Sequence, residues 1–177
     1  METANHFQVL GLTPAYGLDT SSIKKQYLLL SRQWHPDFFS KASDPERTEA
    51  EEMSARLNLA WRTLSDPINR LEHLLELAGV GVQFGNLPQL TPLQLAELLE
   101  LDEALENNAE PTSTAYLEFT ERFTKLQSTL DAEGRHLDEL SGAEREQQIK
   151  KVALLFAELK YLLRVAQKVP NFVAPAY

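Results

Sequence analysis

His35, Pro36 and Asp37 set an imidazole and a carboxylate side by side, directly after an amphipathic segment spanning Thr20–Trp34. Proline removes a backbone donor and drives the residue before it out of the helical region, so the helix must stop and His35 must leave it. An imidazole can shuttle a proton, and a carboxylate can hold a cation in a charge-assisted pair. Ser31 lies one helical turn upstream, and Ser31, His35 and Asp37 together raise the possibility of a nucleophilic triad. That chemistry needs the imidazole between hydroxyl and carboxylate, in an enclosed site with an oxyanion hole. An exposed turn offers neither, so the expected role of His35-Pro36-Asp37 is display to a partner.

Other chemistries find little support. The chain has no cysteine, which excludes disulfides, thiol catalysis and thiolate ligation of zinc or iron–sulfur clusters. His6, His73 and His136 lack metal-ligand spacing and are expected to be structural or solvent-exposed, so no metal site is predicted. No glycine-rich phosphate loop appears, and no cofactor is called for.

Two charge patterns matter more. Residues 20–34 carry three bases, Lys24, Lys25 and Arg32, and no acid, although the whole chain has a formal net charge of -9. Lys25, Leu29 and Arg32 share one face, opposite an Ile23, Tyr27, Leu30, Trp34 stripe, with Lys24 one step round. Such a face is either solvated or a small positive docking surface ending in the Asp37 carboxylate. Residues 92–110 show the reverse: Glu97, Glu100, Asp102, Glu103, Glu106 and Glu110, with no base. Leu98, Leu101 and Leu105 cluster within about 60° on the helical wheel and should face a core. Leu95 and Leu99 point away from that stripe, beside Ala96, Glu100 and Glu103. They form either the edge of a wide buried stripe or an exposed apolar patch with an acidic rim.

The elements that position these groups are all helical. Only 7 glycines occur, helix formers abound, and no strand-like alternation persists. Phe7, Val9, Leu10 and Leu12 predict a short first helix broken by Gly11 and Pro14, and Thr20–Trp34 follows with Asp19 or Thr20 as cap. Residues 38–44 form a polar loop. Asp44-Pro45-Glu46 opens a third helix, with Met53, Leu57, Ala60, Trp61 and Leu64 on its buried face. Ser65-Asp66-Pro67 ends it and starts a fourth. Gly79 to Pro88 holds three glycines and no charge, marking a linker. Thr91-Pro92-Leu93-Gln94 and Ser141-Gly142-Ala143-Glu144 look like capping boxes for later helices. Pro111 opens a helix with Tyr116, Phe119, Phe123, Leu126 and Leu130 on one face. The last helix presents Ile149, Val152, Phe156, Leu159, Leu163 and Ala166. The short connections predict an antiparallel three-helix bundle over residues 91–168.

Composition sets the remaining bounds. With 177 residues the chain can bury a real core, and 43% hydrophobic with 24% charged residues is ordinary for a globular protein. Its negative charge argues against bulk binding of nucleic acid or anionic lipid. No apolar run is long enough to span a membrane, and Met1–His6 carries no targeting pattern, so a cytoplasmic location is expected.

The basic helix, the His35-Pro36-Asp37 turn, the partner helix and Asp66-Pro67-Ile68-Asn69-Arg70 together resemble a J domain, the module that activates DnaK-type heat-shock chaperones. The resemblance covers about residues 5–76. It implies that His35, Pro36 and Asp37 stimulate the chaperone's ATPase while Lys24, Lys25 and Arg32 help it dock; the chain would not itself be an enzyme. Phe38-Phe39 follow the turn where a lysine is common in that family.

Over nearly its whole length the chain further resembles the HscB-type co-chaperones of iron–sulfur cluster assembly. The carrying stretches are Phe7-Gln8-Val9-Leu10-Gly11-Leu12, Leu98-Leu99-Glu100-Leu101 and Leu159-Lys160-Tyr161-Leu162. This resemblance implies an all-α, L-shaped protein: a J domain over 1–78, a linker over 79–90 and a C-terminal three-helix bundle over 91–177. It also implies that Leu95, Ala96, Leu99, Glu100, Glu103 and Tyr161 bind an IscU-type iron–sulfur scaffold protein, which is delivered to a DnaK/HscA-type chaperone. Two other readings stay open: a J-domain co-chaperone for a different client, and a structural helical adaptor with a degenerate J domain.

Overall fold

Local capping chemistry sets where most helices begin. The computed structural model describes residues 5–81, 87–169 and 172. It contains α1 (His6–Val9), α2 (Thr20–Gln33), a 3-10 turn (Pro36–Phe39), α3 (Asp44–Ser65), α4 (Pro67–Leu77), α5 (Pro92–Asn107), α6 (Thr114–Leu137) and α7 (Gly142–Ala166). No strand occurs among the described residues, in agreement with the all-helical expectation. Nor is any described helix long and apolar enough to cross a membrane. The chain divides into two compact units, with the boundary between Leu74 and Leu75.

In the first unit, Asp19 caps α2 by accepting the Ser21 N–H at 3.2 Å. Glu46 accepts from the Ser43 N–H at 2.8 Å and its hydroxyl at 2.6 Å, which steadies the start of α3. Asp66 receives the Asn69 N–H at 2.8 Å and so opens α4, with Pro67 in the first turn where its missing N–H costs nothing. Helices α2 and α3 form a hairpin, and α1 packs against α3. Phe7, Leu10, Ile23, Leu57, Ala60, Leu64 and Leu71 are buried at its centre. Tyr27 stacks on Trp61 at 5.4 Å and donates its hydroxyl to Asn58 at 2.7 Å, joining the two arms of the hairpin.

Arg70 completes this unit. It is only 3% exposed, and its guanidinium donates to the carbonyl oxygens of Leu64 (2.7 Å), Tyr16 (2.6 Å) and Leu18 (2.8 Å). Three acceptors in a fork suit guanidinium geometry and let a buried cation keep its hydrogen bonds. One side chain thus ties the end of α3 to the segment that leads into α2.

The second unit is built on α5, α6 and α7. Thr91 makes the predicted capping box: its hydroxyl accepts the Gln94 N–H at 3.3 Å, and its N–H donates to the Gln94 side chain at 3.0 Å. The core holds Leu98, Leu101, Leu105, Phe119, Phe123, Leu130, Val152, Phe156 and Leu159. Phe172 sets its ring edge-on to Phe119 and Phe123, at 4.9 and 5.2 Å. Glu133 joins α6 to α7 by accepting from Gln148 (2.6 Å) and Lys151 (2.6 Å). Those bonds hold its carboxyl below the usual range.

Several local expectations are corrected. Residues 38–44 are not simply a loop, because Pro36–Phe39 wind into a 3-10 turn. Pro111 does not open α6; Ser113 does, accepting the Tyr116 N–H at 3.1 Å. Ser141 makes no side-chain cap, because Gly142 takes a φ of +55° and the chain enters α7 at a different angle. On α7, Leu162 and Val165 are buried, whereas Ile149, Leu163 and Ala166 are only half-buried. Within the expected linker, Gly79 has a φ of +76° and closes the end of α4, its N–H donating to the Glu76 carbonyl at 2.9 Å. Residues 82–86 of that stretch lie outside the described residues.

Candidate functional site

Two surfaces, one on each unit, gather the residues singled out by their chemistry. On the first, α2 ends at Gln33, and Trp34 and His35 carry the chain into the 3-10 turn. His35 sits in extended backbone, as a residue before proline must. Its Nδ1 accepts the Asp37 N–H at 3.3 Å, which makes His35 the cap of the turn. The Asp37 carboxylate lies 3.6 Å from that same nitrogen. The Asp37 side chain is 88% exposed and points into solvent as an available anion.

The two phenylalanines after Asp37 divide between inside and outside. Phe39 is half-buried and stacks nearly parallel on Trp34 at 5.9 Å, pinning the turn to the end of α2. Phe38 is 76% exposed and meets the His35 ring edge-on at 6.2 Å. Lys24, Lys25 and Arg32 are exposed along α2 and take part in no ion pair among the described residues. Leu29 lies exposed among them. The turn and the α2 face thus expose three bases, a carboxylate and apolar groups.

On the second unit, burial separates the leucines of α5 as the helical wheel predicts. Leu98, Leu101 and Leu105 are buried, while Leu95 and Leu99 are 40% and 51% exposed. A wide buried stripe is thereby excluded. Ala96, Glu100 and Glu103 are exposed beside them. Three of the acids on α5 are already occupied. Glu97 faces Arg122 of α6, which also holds Glu158 of α7 at 2.9 Å. Asp102 and Glu106 both hold Lys168, at 2.9 and 2.7 Å. Glu100 and Glu103 enter no ion pair among the described residues, so their charge is available to a partner.

The same ion pairs fix the register of α5 against α7. Glu97 shares Arg122 with Glu158, and further along α5 Asp102 and Glu106 meet Lys168, just past the end of α7. The two helices thus run in the same direction. Moving back two turns, about 10 Å on each, leads from Lys168 to Tyr161 and from Asp102 and Glu106 to Leu95 and Leu99. By that count Tyr161 lies at roughly the height of Leu95 and Leu99 along the bundle. Its ring is half-buried under the Arg164 guanidinium, 4.5 Å from the centroid. Its hydroxyl is buried with no hydrogen-bond partner among the described residues.

Periodicity and spacing could not reveal one further pairing. His6 and His73 meet with ring centroids 4.5 Å apart, and the His6 N–H donates to His73 Nε2 at 3.3 Å. Burial and the neighbouring His73 ring hold the His6 imidazole below its usual pKa. No group of three or more metal-ligating side chains occurs among the described residues. His136 lies elsewhere, beside Glu139 at 3.1 Å.

Comparison with known proteins bears on both units. Residues 5–73 match the DnaJ domain family model. A co-chaperone protein HscB homolog of Vibrio vulnificus is 31% identical over 162 residues, spanning 88% of this chain and 95% of that protein. Another, from Cupriavidus taiwanensis, is 37% identical over 135 residues, spanning 71% and 77% respectively. Among solved structures, the chaperone HscB from Vibrio cholerae is similar with a TM-score of 0.66 at 28% identity, covering 94% of this chain and 95% of that one.

Proposed function

The chain belongs to the HscB co-chaperone family, and we propose that it binds an IscU-type iron–sulfur scaffold protein and presents it to a DnaK/HscA-type chaperone in the cytoplasm. Residues 1–78 act as the J module, 79–90 as the link and 91–177 as the client-binding bundle. The observation that carries this reading is the pairing, on one chain, of two unlike exposed surfaces: a carboxylate tip with bases, and leucines with acids, whose charges enter no ion pair among the described residues.

The division of labour follows from charge. Lys24, Lys25 and Arg32 attract an acidic strip on the chaperone and raise the rate of encounter. Asp37 then pairs with a chaperone cation and triggers hydrolysis, with His35 and Pro36 holding the turn that presents it. Removing one member of such a pair costs on the order of 2–5 kcal/mol, because the other is left unpaired at the interface. On the bundle, Leu95, Ala96 and Leu99 supply apolar area, and Tyr161 supplies a rigid aromatic at roughly their height. Glu100 and Glu103 supply orientation. The cluster is cargo carried by the scaffold, and the chain's task is to hold that scaffold while the chaperone closes on it. Linking the two contacts raises the effective concentration of client at the chaperone.

A steady-state ATPase assay with the chaperone, run with and without the scaffold, tests this directly. Asp37→Asn should abolish stimulation and leave scaffold binding intact, whereas the double variant Leu99→Ala, Tyr161→Ala should do the reverse. Loss of both activities in both variants would refute the division into two sites.

A further inference from the structure

The structure assigns to Phe38 the role of an apolar anchor for the ATPase chaperone, seated in a depression that borders the cation paired with Asp37. This inference rests on the chaperone-docking reading above and extends it from charge to shape.

Phe38 is the most exposed of the large hydrophobic side chains among the described residues, at 76%, and the one aromatic in that exposed set. Scattered exposed leucines are ordinary on a protein surface. An exposed phenylalanine next to the residue that must touch a partner is different in kind, because aromatic anchors dominate the desolvated centres of interfaces. The turn also holds the ring in place. The Phe38 N–H donates to the His35 carbonyl at 3.0 Å, and Phe39, stacked on Trp34, fixes the far end of the turn. Successive residues of a 3-10 turn are about 120° apart. With Phe39 facing inward, Asp37 and Phe38 diverge outward from a rigid base. The edge-on contact with His35 limits the ring further, so little freedom is lost when it docks.

The partner surface is described by complementarity: acids to meet Lys24, Lys25 and Arg32, a cation for Asp37, and beside that cation an apolar depression for one phenyl ring. A chaperone with a charge or a bulky polar group at that depression should respond poorly. Phe38 is thus a specificity-determining contact, whereas Asp37 is the trigger.

The test is stimulation of a purified HscA-type ATPase, titrated with the full chain and its variants. Phe38→Ala should raise the half-maximal concentration roughly tenfold, from the loss of one buried phenyl group, and keep the maximal stimulation. Phe38→Leu should stay within about threefold of the parent, and Phe38→Lys should be weaker than Phe38→Ala because it adds a charge at the depression. A Phe38→Ala half-maximal concentration within about twofold of the parent would overturn the anchor role while Asp37→Asn still abolished stimulation. Reduced maximal stimulation at an unchanged half-maximal concentration would also overturn it, by showing that Phe38 acts only through His35. If the parent chain itself gave no stimulation, the docking reading and this inference would fall together.

Discussion

Replacing Arg70 by methionine isolates the buried cation that holds the first unit together. Methionine keeps an unbranched apolar stem of similar reach and removes the guanidinium, so the change is one of hydrogen bonding more than of volume. At least three bonds are lost, to the carbonyls of Leu64, Tyr16 and Leu18. Hydrogen bonds from charged donors each contribute about 1.5–3 kcal/mol, and a carbonyl left dry costs about 1–3 kcal/mol. Leu18 is half-buried and can recover water, so the full sum is not reached. Desolvation of the guanidinium, which the variant avoids, offsets another part. A net loss of about 3–5 kcal/mol remains. In a domain of this size each kcal/mol moves the melting temperature by about 4–8 °C, so a fall of at least ~12 °C is expected. The assay is built into the chain: both tryptophans, Trp34 and Trp61, lie in the first unit, and their fluorescence follows its unfolding alone. Arg70→Lys should recover less than half of the loss, because an ammonium cannot span three acceptors as a planar fork does. ATPase stimulation should fall with stability, since Tyr16 and Leu18 lead directly into the α2 cap. An Arg70→Met variant unfolding within about 1 kcal/mol of the parent would refute the reasoning.

Three further outcomes are expected. Leu98→Ala should cost the second unit about 2–5 kcal/mol in urea unfolding followed by circular dichroism, whereas Leu99→Ala, half exposed, should cost under about 1 kcal/mol; equal costs would contradict the assigned faces. The folded His6 pKa lies below its unfolded value of about 6.5, so the unfolded state binds the proton first. First-unit stability should therefore decline as pH falls below about 6.5 and level off below the folded pKa, and His73→Gln should reduce that decline in tryptophan-monitored melts at stepped pH. Glu133, also held low, supports second-unit stability above its unfolded pKa of about 4.3, and that support should fade as pH falls through the folded value. Glu133→Gln should flatten this acid dependence of circular-dichroism melts; an unchanged slope would show that its bonds to Lys151 and Gln148 carry no net stability.

Much of the fold was legible because the deciding forces are local. Pro36 forces His35 out of α2, Thr91 and Gln94 cap each other across three residues, and the 3.6-residue period sorts Leu98, Leu101 and Leu105 from Leu95 and Leu99. The same rules failed where one neighbouring angle mattered. Ser141 has the residues of a capping box, yet the left-handed Gly142 keeps it from forming. On α7 every third or fourth position is apolar, so periodicity alone could not choose Leu162 and Val165 over Leu163 and Ala166.

What the sequence determined by itself was the display of His35-Pro36-Asp37, the helical identity of each segment and the split of charge between a basic helix and an acidic one. Backbone sterics and side-chain period act within a few residues and leave a pattern that can be read directly. Only the tertiary structure decided which distant groups meet: His73 over His6, and Arg70 on the carbonyls of Tyr16 and Leu18. It also decided which acids of α5 are spent on Arg122 and Lys168, and which of two adjacent phenylalanines faces solvent. Those outcomes depend on helix packing across tens of residues, where many registers satisfy the same local pattern and the burial of the whole core selects one.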